Sequence, residues 1–129
     1  MTGNGISGRI LVAGTVASLL FSITALMPAY ADDVPSAEEV KASVSDHTYQ
    51  GSMSTAGSGF AEYYAPDGSI MADGYSGAWR AEDGAMCFQY GDKPEGCFEV
   101  KFHGPSMEMY KDGKLDGNGM LIEGNPNDF

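Results

Sequence analysis

The dipeptide Asp-Gly occurs at 67–68, 73–74, 83–84, 112–113 and 116–117, and this punctuation constrains the fold more than any other feature of the chain. Glycine reaches positive φ without steric cost and aspartate tolerates it, so most such pairs belong in tight turns between antiparallel strands. Between them lie short runs rich in aromatic and branched residues, at 48–53, 59–65, 69–73, 76–81, 85–90, 96–102, 106–111 and 119–123. No helical crossover separates these runs, which excludes a parallel sheet. The pattern predicts a mainly β protein: a single-domain antiparallel meander curled into a small barrel or half-barrel. For so short a chain a filled or partly open barrel is expected rather than an eight-stranded cup with a ligand cavity.

A short N-terminal helix precedes the meander. Ser36-Ala37-Glu38-Glu39 has the form of a capping box, in which the Ser36 hydroxyl accepts from the Glu39 amide and the Glu39 carboxylate reaches back. The helix should run over 37–45, with Val40 and Val44 on one side, and end by Asp46 because Thr48 and Tyr49 favour extended chain. On the run 59–65, Phe60, Glu62 and Tyr64 alternate with Ala61, Tyr63 and Ala65, so both faces carry a ring. Packing of the helix over the outer face is the expected reason. The other reading is a place where the sheet curls or a ligand surface opens.

Cys87 and Cys97 are the only cysteines. Their spacing, with nine residues between them, is not that of a C-x-x-C redox or metal pair, and an even count in a small exported domain reads as a disulfide. The pairing can be tested against the hairpin. If Cys87 lies opposite Cys97, Met86 lies opposite Phe98. Met86, Phe88, Tyr90, Phe98, Val100 and Phe102 then share one face, while Cys87, Gln89, Glu95, Glu99 and Lys101 share the other. The register that closes the bridge is the one that segregates the core. Tyr75, Gly77 and Trp79 alternate in the same way with Ser76, Ala78 and Arg80. The expected core is therefore Tyr75, Trp79, Met86, Phe88, Tyr90, Phe98, Val100, Phe102 and Met107, with Met109 beside them.

Residues 1–31 have the layout of a secretory signal: a basic residue at Arg9, an apolar run over 10–27, a break at Pro28, and Ala29-Tyr30-Ala31 as the cleavage site. The expectation is cleavage after Ala31, leaving 32–129 as one β-rich domain in the periplasm or outside the cell, with no membrane attachment. That domain keeps six Lys or Arg against 18 acidic residues, a net charge of −12. Such a field repels nucleic acid and anionic lipid and favours basic partners or cations.

No catalytic constellation is present: no nucleophile elbow, no phosphate-binding glycine loop and no H-E-x-x-H. The paired carboxylates, such as Asp32/Asp33 and Glu82/Asp83, are what chance gives in so acidic a chain. Asp112-Gly113-Lys114-Leu115-Asp116-Gly117 departs from a calcium loop at Lys114 and reads as two turns. His103, Met107 and Met109 form the one metal-like group, since thioethers and an imidazole suit Cu(I). Core packing of the methionines is the competing account.

Three resemblances follow from particular residues. Glu62-Tyr63-Tyr64-Ala65-Pro66-Asp67-Gly68, Gly77-Ala78-Trp79-Arg80, Met86-Cys87-Phe88, Gly96-Cys97-Phe98 and Glu123-Gly124-Asn125-Pro126 together resemble a group of small exported alphaproteobacterial proteins that share a domain of unknown function. The resemblance spans 36–126 and implies a periplasmic setting and a β-rich fold, with no activity to carry over. A barrel of this size with one disulfide is similar in architecture to periplasmic inhibitors of C-type lysozyme, which is a basic enzyme. Gly77-Ala78-Trp79 resembles the Gly-x-Trp of lipocalin-like cups, where the tryptophan closes one end of the barrel. The function expected from all this is a non-enzymatic exported accessory or binding module. It is a monomer without cofactor, its partner a basic exported protein or a small ligand. The alternatives are inhibition of a secreted basic enzyme such as lysozyme, and copper handling through His103, Met107 and Met109.

Overall fold

The protein is described by a computed structural model covering residues 33–129, together with Gly3, Gly5 and Gly14. The expected export signal and the expected cleavage site after Ala31 lie outside the described residues.

The helix α1, Ala37–Val44, begins at the capping box as expected. Ser36 Oγ accepts from the Glu39 amide at 3.2 Å, and Glu39 Oε2 accepts from the Ser36 amide at 2.8 Å. Eight strands follow: β1 His47–Met53, β2 Gly59–Tyr64, β3 Ser69–Ala72, β4 Tyr75–Glu82, β5 Ala85–Gln89, β6 Gly96–His103, β7 Ser106–Lys111 and β8 Lys114–Glu123. Each strand pairs antiparallel with the next, and β1 pairs with β8, so the meander closes into an eight-stranded barrel. Closure satisfies the backbone groups that a half-barrel would leave on two open edges.

Four of the five Asp-Gly pairs sit in turns, with Gly68, Gly74, Gly84 and Gly113 all at positive φ. Asp116-Gly117 does not. The pairing shifts by one residue between Met109↔Gly117 and Tyr110↔Leu115, so Asp116 is the extra residue of a bulge within β8. The last strand therefore starts at Lys114 rather than near 119. Bulges add local bend and twist, which helps a short sheet to close.

The helix does not lie on the outer face of β2. It packs against β4, β1 and β5 at the barrel end that carries the turns around 65–68 and 83–84. The Ala37 amide donates to Asp83 Oδ1 at 2.8 Å and the Gly84 amide to the Pro35 carbonyl at 2.6 Å. Val40 and Val44 are fully buried in the same cluster as Tyr64, Trp79, Met86 and Met107. An amphipathic turn pair with two valines four apart thus closes one mouth of the barrel.

Cys87 and Cys97 are bonded, with Cα atoms 4.0 Å apart, in the register Met86↔Phe98 and Cys87↔Cys97. Cys87 is fully buried although it points away from the core. Arg80 pairs directly with it across β4 and β5, and the Arg80 guanidinium holds Glu95 at 2.9 and 2.6 Å and Glu82 at 2.6 Å on this side of the sheet. Replacing both cysteines by alanine is expected to lower stability by about 2–4 kcal/mol, mainly by freeing the unfolded chain. For a domain of this size that is a melting point lower by roughly 10–20 °C. Circular dichroism melts check it, and an unchanged midpoint would refute the stabilising role.

Of the expected core, Trp79, Met86, Phe88, Val100, Met107 and Met109 are buried. Tyr90, Phe98 and Phe102 are only partly buried and pack against that cluster. Tyr75 is not a core residue: it is 44% exposed. It starts β4 at the barrel end away from the helix, where none of the described elements covers the sheet's inner surface. Tyr49, Tyr64 and Ile70 complete the core from strands whose pattern was less clear.

Candidate ligand-binding site

The inward face of β2 carries Phe60, Glu62 and Tyr64. A glutamate on the inner face of a small barrel meets no water on the outside and has to find partners within. Glu62 is 3% exposed, and three phenols supply its partners. Tyr75 Oη donates to Oε1 at 2.8 Å, Tyr64 Oη to Oε2 at 3.0 Å, and Tyr90 Oη to Oε1 and Oε2 at 2.8 and 3.0 Å. The tyrosines come from β2, from the start of β4, and from the position after β5, so they converge only because the sheet curls. Among the described residues Glu62 has no cationic partner.

The tyrosines are held as neutral donors. Burial, then the Glu62 charge, pushes the Tyr49 phenol up to about 12. The same causes, in the same order, raise Tyr64 well above its ordinary value. Burial and Glu62 also raise Tyr75 and Tyr90. Protonated phenols remain donors to the carboxylate at physiological pH.

A cavity of about 500 Å³ opens beside this group. Phe60, Tyr64, Phe88 and Phe98 line its wall, with Glu62 as the anionic group within it. Met53, Tyr75, Tyr90 and Lys93 belong to the end of the barrel opposite the helix. That end is the mouth. The aromatic wall is continuous: Phe88 is 6.0 Å from Tyr64, 5.9 Å from Phe98 and 6.5 Å from Tyr90, measured between ring centroids. The volume lies within the ordinary range of small-molecule sites, roughly 300–1,000 Å³. The barrel is therefore a cup closed at one end, not the filled or partly open barrel its length led us to expect. Eight short strands suffice because the helix, rather than core side chains alone, fills one end.

Gly77 is part of the site by omission. A Cβ there would stand 2.8 Å from Tyr90 Cδ1 and 2.6 Å from the Gln89 carbonyl oxygen. The bare backbone between Tyr75 and Trp79 is what lets the Tyr90 ring lie against β4 and reach Glu62. Gly51 and Gly119 face each other across β1 and β8, and the Tyr49 ring lies over them: a Cβ on Gly51 would meet Tyr49 Oη at 2.7 Å. Tyr49 Oη is buried without a hydrogen-bond partner.

The structure does not bring His103, Met107 and Met109 together. The turn at Gly104-Pro105 pairs His103 with Ser106 and Phe102 with Met107. His103 therefore lies on the outer face, its side chain 63% exposed and 3.4 Å from Glu108, while both methionines are buried inside the barrel. Successive residues of a strand point to opposite faces, and one sheet separates the imidazole from the thioethers. The methionines are core. Glu82, Cys87 and Cys97 also lie within reach of one another, but the two sulfurs are bonded together and Glu82 is held by Arg80, so no thiolate is free for a metal.

The site residue that sequence reading missed is Glu62. Its signal was present: a carboxylate on the same alternation as Phe60 and Tyr64, in the one run with rings on both faces. No family model, no curated protein and no solved structure matches this chain, so the chemistry of the cup is argued from its own residues.

Proposed function

We propose that this protein is a non-enzymatic small-molecule-binding module of the cell exterior or periplasm, and that its ligand sits in the barrel. One observation carries the reading: an open-ended aromatic cavity contains a single buried carboxylate held in place by three hydroxyls. Apolar walls with a few fixed polar groups are the ordinary make-up of a small-ligand site. The walls supply apolar contact, and the carboxylate, already oriented by Tyr64, Tyr75 and Tyr90, costs no further ordering when a ligand binds. The disulfide and the acidic charge agree with an exported setting.

The test is a titration with N-phenyl-1-naphthylamine, an uncharged probe at neutral pH whose fluorescence rises in apolar sites. A saturable gain at one probe per protein is expected. It should weaken severalfold in Met53→Trp, which narrows the mouth without touching Glu62. A signal that never saturates, or one that Met53→Trp leaves unchanged, would place the probe elsewhere and overturn the reading.

A further inference from the structure

We infer that the ligand is a hydrophobic amine whose ammonium group is received by Glu62, an inference that rests on the cup being a small-ligand site. The first ground is charge. Glu62 sits at 3% exposure with three neutral donors and no cation among the described residues. Neutral hydroxyls solvate a buried carboxylate but leave its charge uncompensated, and a buried charge is stable chiefly when paired.

The second ground is the count of acceptor sites. A carboxylate offers about four lone-pair directions. Tyr75 and Tyr64 take one each, and the single proton of Tyr90 is split between both oxygens at 2.8 and 3.0 Å. Room remains for one strong donor, and Glu62 borders the cavity from which it would come.

The third ground is the wall. Phe60, Tyr75, Phe88 and Tyr90 border the same space, and aromatic rings attract organic cations that approach their faces. A fatty acid would put a second carboxylate against Glu62 and is repelled. A neutral apolar ligand would leave the charge as it was. The chain's net charge of −11 raises the local concentration of cations. Lys93, the one base on the cavity rim among the described residues, is exposed to water, where solvent and salt screen it.

The experiment uses three matched probes of one length: 4-phenylbutylamine, 4-phenylbutanol and 4-phenylbutyrate, titrated calorimetrically at neutral pH. The amine is expected to bind about tenfold or more tighter than the alcohol, because a charge-assisted hydrogen bond is roughly twice as strong as a neutral one. The acid should bind weakest. In Glu62→Gln the amine should fall to the affinity of the alcohol, while the alcohol and N-phenyl-1-naphthylamine still bind. An alcohol or acid that binds as well as the amine overturns the inference and leaves the cup standing. If none of the three binds, the inference fails. If the naphthylamine also fails to bind, the small-ligand reading fails with it. Should Glu62→Gln not fold, Tyr75→Phe removes a donor at the rim and frees a lone pair on Oε1. Amine affinity should then rise relative to the alcohol, and a folded Tyr75→Phe with no amine preference would overturn Glu62 as the receiving group.

Discussion

Raising the pH from 10 to 12 is expected to unfold the barrel cooperatively, because the phenols around Glu62 cannot ionise in place. The sign follows from the direction of their shifts. Folding raises the pKa of Tyr49 to about 12 and raises that of Tyr64 well above the ordinary value, in both cases through burial first and the Glu62 charge second. Below pH 10 neither the folded nor the unfolded state has lost these protons, and the contribution is complete. Above pH 10 the unfolded chain releases them, while the native state holds the Tyr64 proton and gives up that of Tyr49 only as the pH nears 12. Stability then falls by about 1.4 kcal/mol per pH unit for each phenol. With two buried phenols contributing in the same direction, the loss over this range takes a large share of the stability of a small domain. Tyr75 and Tyr90 add to the loss. Tyrosinate absorbance at 295 nm, recorded beside circular dichroism, checks this. Tyr63 and Tyr110 sit outside the barrel and ionise without unfolding, but the Glu62 group should ionise only as the β signal collapses. A full tyrosinate change with the sheet intact would show that the phenols are not confined as described. Tyr64→Phe should shift the alkaline midpoint upward relative to its own neutral-pH stability, since it removes one of the protons at stake.

Trp79→Ala is expected to cost about 3–5 kcal/mol. The ring is buried near the helix-closed end, 6.0 Å from Tyr64 between centroids, and Nε1 donates to the Ala65 carbonyl at 3.0 Å. Truncation leaves a void between the helix and the barrel floor and also removes one of the two hydrogen bonds that the Ala65 carbonyl accepts, the other coming from the Gly68 amide at 3.0 Å. A loss of that size lowers the melting point of a domain this small by roughly 15–30 °C. Trp79→Phe keeps most of the volume and should cost noticeably less, which separates the packing contribution from the hydrogen bond. Acrylamide gives a check that needs no variant. The single tryptophan should be quenched far more slowly in the folded protein than in urea, and equal quenching rates would refute its place in the floor.

Much of the architecture was legible because turns and alternation are local. Asp-Gly pairs marked four hairpin turns, and the capping box placed the helix start at Ser36. The register of β5 and β6 could be derived before any coordinates, because closing Cys87 onto Cys97 and segregating Met86, Phe88 and Phe98 demand the same alignment. Asp116-Gly117 misled because the same dipeptide that makes a turn also accommodates a bulge; only the neighbouring strand decides which, here through Met109↔Gly117. His103, Met107 and Met109 misled for a related reason. Nearness in sequence across a hairpin says nothing of the face until the turn length sets the pairing.

The sequence by itself determined most of the strands, their order, the disulfide and the inward set on β5 and β6, since a period of two depends only on the chain's own geometry. The tertiary structure alone decided that β1 meets β8 and that the helix closes one end rather than covering β2. It alone decided that Tyr64, Tyr75 and Tyr90 reach one carboxylate. Those outcomes depend on curvature and stagger summed over eight strands, and on how much volume the helix takes up. No single segment carries that information. Glu62 could be seen to point inward from its neighbours Phe60 and Tyr64, but its partners lie 13 and 28 residues away in Tyr75 and Tyr90, joined to it only when the sheet closes.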